Sequence, residues 1–515
     1  MWKKLLAAIF NRENLYALLL ALILVALVIF TVDTSPTGFT KAFKMTILQI
    51  IVLTILAIII GQLSKGRQLA LLAISTFAIF WLQPNEPFLT LIFWLPVATL
   101  GITLLCWALT STPEVRSWRQ NWPTVTVLTG IVILMDLNRI FKFDQIFTSG
   151  TPVLQETLAG IIGRGALTLI ILSWQKAGPF LQAAAFIGII LIFIVLKAPN
   201  LIYTVRGYLV NLRGADLTTK PTVISWLGYS YISFRLLHTI RDRQSGRLPS
   251  VTLAEFFNYV IFFPSFTAGP IDRIERFVKE LRTPNPLSKT DWIDAVTRLF
   301  VGLFKKFVIA DLLAVISLND VLVFQVKSAG WMWVFLYAYA FRIYFDFSGY
   351  TDVAIGMGLL MGIRLPENFN APYLKSNLTQ FWNSWHMSLT QWFRAYFFNP
   401  VTRSLRSRQQ TLPFWSILLI TQVSTMLLIG LWHGVTTGFA MWGLWHGIGL
   451  FIQNRWSELI RTRLPNWTQT RSVQLVSNAF GVLFTFNFVA LGWLFFNLSS
   501  PAIAWLAMQK LFGIL

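Results

Sequence analysis

The chain has 515 residues, of which 55% are hydrophobic and only 12% charged, and its mean hydropathy is +0.63. A soluble protein carries about 25% charged residues, so the composition excludes an ordinary soluble domain, and the single cysteine, Cys106, excludes an intrachain disulfide and a multi-cysteine metal site. The net charge of +21 comes from basic residues that lie mostly between apolar runs, which favours the positive-inside bias of cytoplasmic loops over binding to nucleic acid.

Many apolar runs approach the roughly 20 residues that a helix needs to cross a bilayer. We therefore predict an all-α polytopic membrane protein with roughly 11 to 15 true crossings and some re-entrant or interfacial segments. The basic start and long apolar stretch of residues 1–30 predict a first transmembrane helix rather than a removed signal peptide. The predicted spans are 14–32, 45–62, 68–82, 88–109, 124–136, 152–173, 180–197, 222–238, 252–268, 292–317, 331–345, 350–362, 376–398, 412–431, 436–453 and 475–497, with a short one near 501–515.

The span 252–268 has basic clusters on both sides, and a single crossing would place one of them outside the cell. These clusters are Arg241, Arg243 and Arg247 before it, and Arg273, Arg276 and Lys279 after it. Pro264 and the Gly269-Pro270 pair interrupt the segment, so we predict a re-entrant hairpin. Irregular backbone at that depth is tolerated only where protein or water covers it, which predicts a cavity nearby.

Two carboxylates, Asp346 and Asp352, lie in an apolar region, and Glu367 follows them. They are the last acids before the histidines of the C-terminal third. A histidine that acts as a base usually needs a partner to hold its tautomer. We expect one of these carboxylates to fill that role, or else a backbone carbonyl or a hydroxyl such as those of Thr436 and Thr437.

The stretch 381–389 mixes aromatic and polar side chains. At 100° per residue, Trp382, Trp385 and Leu389 share one face of a helix, while His386 shares a face with Asn383. The pattern predicts an amphipathic helix at a cavity wall or at the membrane interface. Ser384 and Ser388 are further polar groups for such a wall.

His433 lies in Gly430-Leu431-Trp432-His433-Gly434, and no Asp or Glu occurs from Asn368 to Gln453. An ionisable side chain at membrane depth is a functional-site hypothesis by default. The chain has four histidines, and three of them, His386, His433 and His446, fall in the C-terminal third.

Loop charge indicates on which side of the membrane His433 lies. The loop with Arg403, Arg406 and Arg408 reads as cytoplasmic, and so does the loop with Arg455, Arg461, Arg463 and Arg471. Two spans lie between these loops, so their connection, which contains His433, should lie away from the cytoplasm.

Competing interpretations remain open for the histidines. His238 and His446 are better explained by hydrogen bonds between helices. For His386 and His433, such a structural hydrogen bond and a catalytic or binding role are about equally favoured. Histidines with no carboxylate or thiol nearby make a poor metal site.

A histidine in an apolar tunnel suits general-base removal of a proton from a hydroxyl that attacks a thioester, which is worth about 10²–10⁴ in rate. A transporter or channel with a histidine proton relay and a non-catalytic scaffold of an export complex are the alternatives.

The sequence resembles the membrane-bound O-acyltransferase family, in the branch that contains the D-alanyl transfer protein of teichoic-acid modification and the alginate O-acetylation membrane protein. The resemblance covers about residues 220–500 and is weak over 1–200. The segments that carry it are Phe262–Arg273, Tyr344–Asp352, Leu365–Tyr373, Phe381–Leu389, Trp392-Phe393-Arg394, Gly430–Gly434 and Trp442–Gly447. We accordingly expect N-terminal transmembrane helices in 1–200 and a catalytic core with a central tunnel in 201–515.

The resemblance implies an enzyme that moves a small acyl group, of the acetyl or D-alanyl class, to hydroxyls of an extracytoplasmic glycan or glycolipid. It implies His433 and His386 as the catalytic histidines, and a tunnel lined by Trp382 and Asn383. Further substrate-binding residues on this interpretation are Trp385, Ser388, Asp346, Trp432 and Arg394.

The same resemblance implies the partners. The acyl donor is a cytoplasmic thioester, on an acyl carrier protein or coenzyme A, received by basic loops that include 394–408 and by 271–289; no bound cofactor is expected. A second, extracytoplasmic acyltransferase and membrane lipid are further expected partners, in the bacterial cytoplasmic membrane. The sequence departs from the family at Ser384, where an arginine is common, and at Ala395, where an aspartate is common, so we expect a different donor entrance.

Overall fold

The regular secondary structure of the described residues in this computed structural model is entirely helical, with no strand among them. They are residues 47–63, 65–83, 91–141, 152, 154–173, 178–212, 224–283, 287–407, 412–463 and 470–514. The predicted first helix at 14–32 and Arg408 lie outside this part of the chain. The all-α prediction is confirmed.

The helices of the described residues are numbered α1 to α21 in chain order. The first eleven are α1 (Ile47–Gly61), α2 (Arg67–Trp81), α3 (Leu91–Thr110), α4 (Trp118–Phe141), α5 (Leu154–Ser173), α6 (Gly178–Lys197), α7 (Pro199–Leu212), α8 (Tyr229–Gln244), α9 (Leu253–Val260), α10 (Ile274–Arg282) and α11 (Lys289–Phe304). The others are α12 (Asp311–Val315), α13 (Asp320–Gln325), α14 (Ala329–Leu360), α15 (Leu378–Trp382), α16 (Met387–Phe393), α17 (Asn399–Arg406), α18 (Phe414–His433), α19 (Thr437–Arg463), α20 (Arg471–Asn497) and α21 (Pro501–Leu511). Short π-helical segments, Lys305–Ala310 and Arg394–Phe398, follow α11 and α16.

Six helical stretches among the described residues are long and apolar enough to cross a membrane. They are Phe93–Thr110, Leu154–Ser173, Gly178–Lys197, Lys289–Gln325, Phe414–His433 and Arg471–Asn497. The shorter helices α1 and α2 are also apolar. The chain is therefore an integral membrane protein, as predicted, while the predicted number of crossings is not tested by this part of the chain.

By contacts the chain divides into two units. The first contains the described residues of 1–196, 200–303 and 350–366, and the second contains 197–199, 304–349 and those of 367–515. The predicted division near residue 200, between N-terminal helices and a catalytic core, stays a prediction.

The short helix α9 lies at the centre of the first unit, where it packs against α2, α3, α4, α8 and α10. It begins with a capping box, in which Thr252 Oγ1 accepts from the backbone of Glu255 and Glu255 Oε2 accepts from the backbone of Thr252. This box satisfies amide groups that a helix start leaves without partners. Such caps matter most here because α9 is only eight residues long and almost wholly buried.

Beyond α9 the buried chain is irregular as far as residue 273, in agreement with the predicted interruption of a simple crossing. The buried guanidinium of Arg235 donates to the carbonyls of Tyr259, Val260 and Ser265 at 2.9–3.0 Å, and to Ser265 Oγ at 2.6 Å. Unpaired backbone groups inside a membrane protein are costly, and one arginine satisfies three of them.

Several predicted boundaries were wrong. The spans 331–345 and 350–362 form one helix, α14, of 32 residues. The polar step at Asp346 does not interrupt it, because that carboxylate accepts a hydrogen bond from the ammonium of Lys306. The predicted loop with Arg455, Arg461 and Arg463 is also helical there, since α19 continues to Arg463.

The second unit contains an antiparallel hairpin of α18 and α19, joined by Gly434–Thr436. Gly430, Gly443 and Gly447 let the two backbones approach closely: a Cβ atom at Gly443 would lie 2.6 Å from the Met426 carbonyl oxygen, and one at Gly447 would lie 2.8 Å from the Val423 Cα. Small residues allow such close packing of helices in membranes. A helix of 20 residues is about 30 Å long, so α18 is long enough to carry its last residue across the bilayer core.

We expect Gly443→Val to destabilise the protein by about 1–3 kcal/mol or more, because the added side chain collides with backbone that cannot move aside. The measurement is the thermal unfolding midpoint in detergent. Gly163→Ala is the matched control, since nothing lies within 4 Å of a Cβ atom there. A Gly443 variant that unfolds at the temperature of the control would show that the two helices do not need this contact.

Candidate active site

His433 is the last residue of α18, at the tip of the hairpin, in the connection that was predicted between two apolar spans. Its imidazole contacts the rings of Trp432, Phe439, Trp442 and Phe496, with centroid distances of 4.6–5.9 Å. The residue is half-buried, and its side chain makes no hydrogen bond to the residues that the structure describes. Aromatic packing therefore holds the ring plane of an imidazole whose nitrogens bond to none of these residues.

Trp432 lies between two histidines. Its ring centroid is 6.0 Å from that of His386 and 4.6 Å from that of His433, and both contacts are edge to face. Phe347, from α14, covers His386 at 4.7 Å. The structure thus brings together His386, Trp432 and His433, which the sequence had only as separate candidates.

The prediction of one amphipathic helix over 381–389 was wrong. The helix α15 ends at Trp382, and α16 begins only at Met387. His386 lies between them in the left-handed region, at φ 43° and ψ 53°, which a residue with a side chain seldom adopts. Such backbone persists where the surroundings hold it, often at functional sites.

Asn368 holds this break in place, and sequence reasoning did not single it out. Its carbonyl oxygen accepts from the Met387 amide at 2.9 Å. Its side-chain Oδ1 accepts from the amide and hydroxyl of Ser388 at 3.1 and 2.7 Å, and lies 3.2 Å from His386 Nδ1. Because an amide oxygen only accepts, Nδ1 of His386 carries the proton. The side chain of Asn368 thus caps α16 and orients the imidazole together.

Neither Asp346 nor Asp352 is the tautomer-holding partner that we expected. Asp346 pairs with Lys306 in the second unit, and Asp352 pairs with Arg298 in the first, at 3.4 Å. The hydroxyl of Thr436 accepts from the Phe439 amide at 3.4 Å instead. For His386, the side chain of Asn368 holds the tautomer in place of the expected carboxylate.

The remaining predicted residues fall into separate groups. Trp385 is buried among Tyr344, Phe369 and Trp493, at centroid distances of 5.2–6.2 Å. Asn383 and Arg394 are exposed and form a pair of their own, in which Arg394 Nη2 donates to Asn383 Oδ1 at 2.5 Å. Asn383 is therefore not part of the buried wall that contains His386.

His446 lies on α19, next to Trp382 and Trp442 at 5.2 and 5.0 Å between ring centroids. It is fully buried, and neither of its ring nitrogens has a hydrogen-bond partner among the described residues. The hydrogen bond between helices that we expected for His446 is therefore not seen in this part of the chain. For His238 it is present, because the Tyr259 hydroxyl lies 3.2 Å from His238 Nδ1.

The lysine nearest to the site also escaped sequence reasoning. Lys197 Nζ donates to the main-chain oxygen of His433 at 3.4 Å, and the Val435 amide donates to the Lys197 carbonyl at 3.0 Å. The sequence feature that could have indicated Lys197 is a charged residue at the end of an apolar span. Lys306 is likewise a charged residue within an apolar span.

Comparison with known proteins gives this arrangement a family. The sequence model of MBOAT, the membrane-bound O-acyltransferase family, matches residues 180–500. These residues contain all four histidines and both lysines described above.

Named relatives fall into two groups. The chain is 31% identical over 316 residues to the "Teichoic acid D-alanyltransferase" of Streptococcus thermophilus, covering 58% of this chain and 75% of that protein. The chain is 30% identical to the protein of the same name from Bacillus subtilis, and the match covers 53% of this chain and 69% of that protein. The chain is also 33% identical over 292 residues to the "Probable alginate O-acetylase AlgI" of Pseudomonas aeruginosa, covering 56% of this chain and about half, 51%, of that protein.

We expect Asn368→Leu to destabilise the protein and to abolish its activity, because the substitution leaves buried donors of His386 and Ser388 without an acceptor. Each unsatisfied buried group costs about 1–3 kcal/mol. The thermal unfolding midpoint in detergent measures the first effect, and Asn478→Leu, at an exposed position on α20, is the control. Equal midpoints for the two variants would contradict the capping role of Asn368.

Proposed function

Because the chain belongs to the membrane-bound O-acyltransferase family, and is thus a membrane enzyme that acylates hydroxyls, we propose that His433 is its general base. The acyl group would be small, of the acetyl or D-alanyl class, and would come from a cytoplasmic thioester. The acceptor would be a hydroxyl of an extracytoplasmic glycan or glycolipid.

One observation carries the assignment of His433. His238, His386 and His446 are at most 2% exposed, whereas His433 as a residue is only half-buried. A general base must come within hydrogen-bond distance of the proton that it removes. Among the four histidines, His433 alone meets this requirement without a rearrangement of the packing.

The chemistry asks little of the protein beyond the base. A ring nitrogen of His433 takes the proton of the acceptor hydroxyl while the oxygen attacks the thioester carbonyl. The new C–O bond forms, the C–S bond breaks, and the departing thiolate takes the proton back from the imidazolium. The aromatic rings around His433 exclude water, which protects the thioester from hydrolysis.

His386 is proposed to act through its neighbour rather than on the substrate. It is sealed from solvent and packs on Trp432, which in turn packs on His433. Trp382 and Trp385 extend this aromatic support, and Ser388 fixes the position of Asn368. These are positioning residues on this view, and Trp432 is the one that also borders the acyl group.

The donor is proposed to approach from the opposite end of the hairpin. The basic residues Arg403 and Arg406 of α17 precede the start of α18, whereas His433 ends that helix. Exposed Arg394 pairs with Asn383 and so lies nearer to His386. Coenzyme A and acyl carrier proteins are both anionic, and a basic surface attracts them. The role of Asp346 is proposed to be indirect, through its pair with Lys306.

The relatives support the acceptor class. Their names refer to a teichoic acid and to alginate, which are polymers of the cell surface. Acylation at the outer end of the hairpin suits such an acceptor in a bacterial cytoplasmic membrane. A second, extracytoplasmic acyltransferase remains a proposed partner.

We expect His433→Ala to lower acyl transfer by at least about 10²–10⁴, the usual worth of a general base, with an unchanged thermal unfolding midpoint. The measurement is transfer of a labelled acyl group from a thioester to glycerol by the purified protein in lipid vesicles. His446→Ala is the histidine control, and its rate should stay well above that of His433→Ala. Full activity of His433→Ala would exclude this histidine as the base.

A further inference from the structure

Two groups of Lys197, its ammonium and its main-chain carbonyl, hold it against the tip of the hairpin. Its ammonium donates to the main-chain oxygen of His433 at 3.4 Å, and its own carbonyl accepts from the Val435 amide at 3.0 Å. Lys197 is half-buried as a residue. Its ammonium therefore lies beside the peptide group of the residue that carries the proposed base.

The position of this lysine runs against the usual distribution of charge. Lys and Arg are enriched on the cytoplasmic side of membrane proteins, and the clusters at Arg403–Arg406 and Arg455–Arg463 lie at the other end of the hairpin. A lysine near the end of α18 also interacts well with the helix dipole. That effect stabilises the helix end, but it does not distinguish one ligand from another.

The imidazole beside which Lys197 lies has surroundings of low polarity. The four rings that contact His433 are aromatic and uncharged. A fixed charge acts more strongly in such surroundings than in water. A bound acyl group at His433 therefore lies within the field of a positive charge.

We propose that Lys197 is the specificity-determining residue of the acyl site, and that it selects an uncharged acyl group, of the acetyl class, over a positively charged aminoacyl group such as D-alanyl. This inference rests on the proposed function and narrows it. Two like charges roughly 6 Å apart at an effective dielectric constant of about 20 repel each other enough to change a rate about a hundredfold.

The experiment compares two donors that differ in charge but hardly in size. D-lactoyl and D-alanyl thioesters of the same thiol carry a hydroxyl and an ammonium group at the same carbon. Transfer to glycerol is measured at about pH 6, below the ordinary pKa of an α-amino group. The ratio of the two values of kcat/KM is the readout, so a general loss of rate cancels.

We expect the unchanged protein to prefer D-lactoyl by about a hundredfold, Lys197→Arg to keep that preference, and Lys197→Met to reduce it about tenfold or more. A Lys197→Met variant that loses rate equally with both donors would show that the lysine only caps α18, and would overturn the inference. Preference for D-alanyl in the unchanged protein would overturn it as well.

The inference and the proposed function fail differently. If His433→Ala transfers acyl groups at the full rate, the proposed base is wrong, whatever the donor preference. If His433→Ala is inactive and the donor ratio is the same with lysine and methionine at position 197, the base stands and the selectivity proposal falls.

Discussion

The structure depends on one constraint: polar groups held at membrane depth must find their partners within the protein. Two side chains meet this constraint where the backbone leaves helical geometry. Arg235 satisfies three carbonyls at the end of α9 and just beyond it in the first unit, and Asn368 satisfies the amides and hydroxyl at the start of α16 in the second. Because Asn368 also holds the ring of His386, the same constraint that stabilises the fold orders the site.

Aromatic packing then transmits this order to the reactive imidazole. Trp432 contacts both His386 and His433, and Trp442 contacts both His433 and His446. Edge-to-face contacts of this kind add about 0.5–1.5 kcal/mol each beyond burial. Rings with few rotatable bonds position a base more firmly than flexible aliphatic chains would, which suits a site that needs little other machinery for attack on a thioester.

Patterns that are local in sequence were predictable, and partners that are distant in sequence were not. Hydropathy and loop charge were sufficient to place His433 at the tip of a hairpin, and Pro264 with Gly269-Pro270 marked an irregular segment. Periodicity failed at 381–389 because the break there is held by Asn368, about 20 residues away. Lys197 could not be linked to His433 from sequence, since 236 residues separate them.

The glycine contacts between α18 and α19 also bear on how the protein is made. Because Gly430, Gly443 and Gly447 let these two consecutive helices close on each other, we expect the pair to enter the bilayer as a single unit during synthesis. Phe496, near the end of α20, joins the aromatic surround only once α20 has been added, so the hairpin alone does not complete the surround of its imidazole.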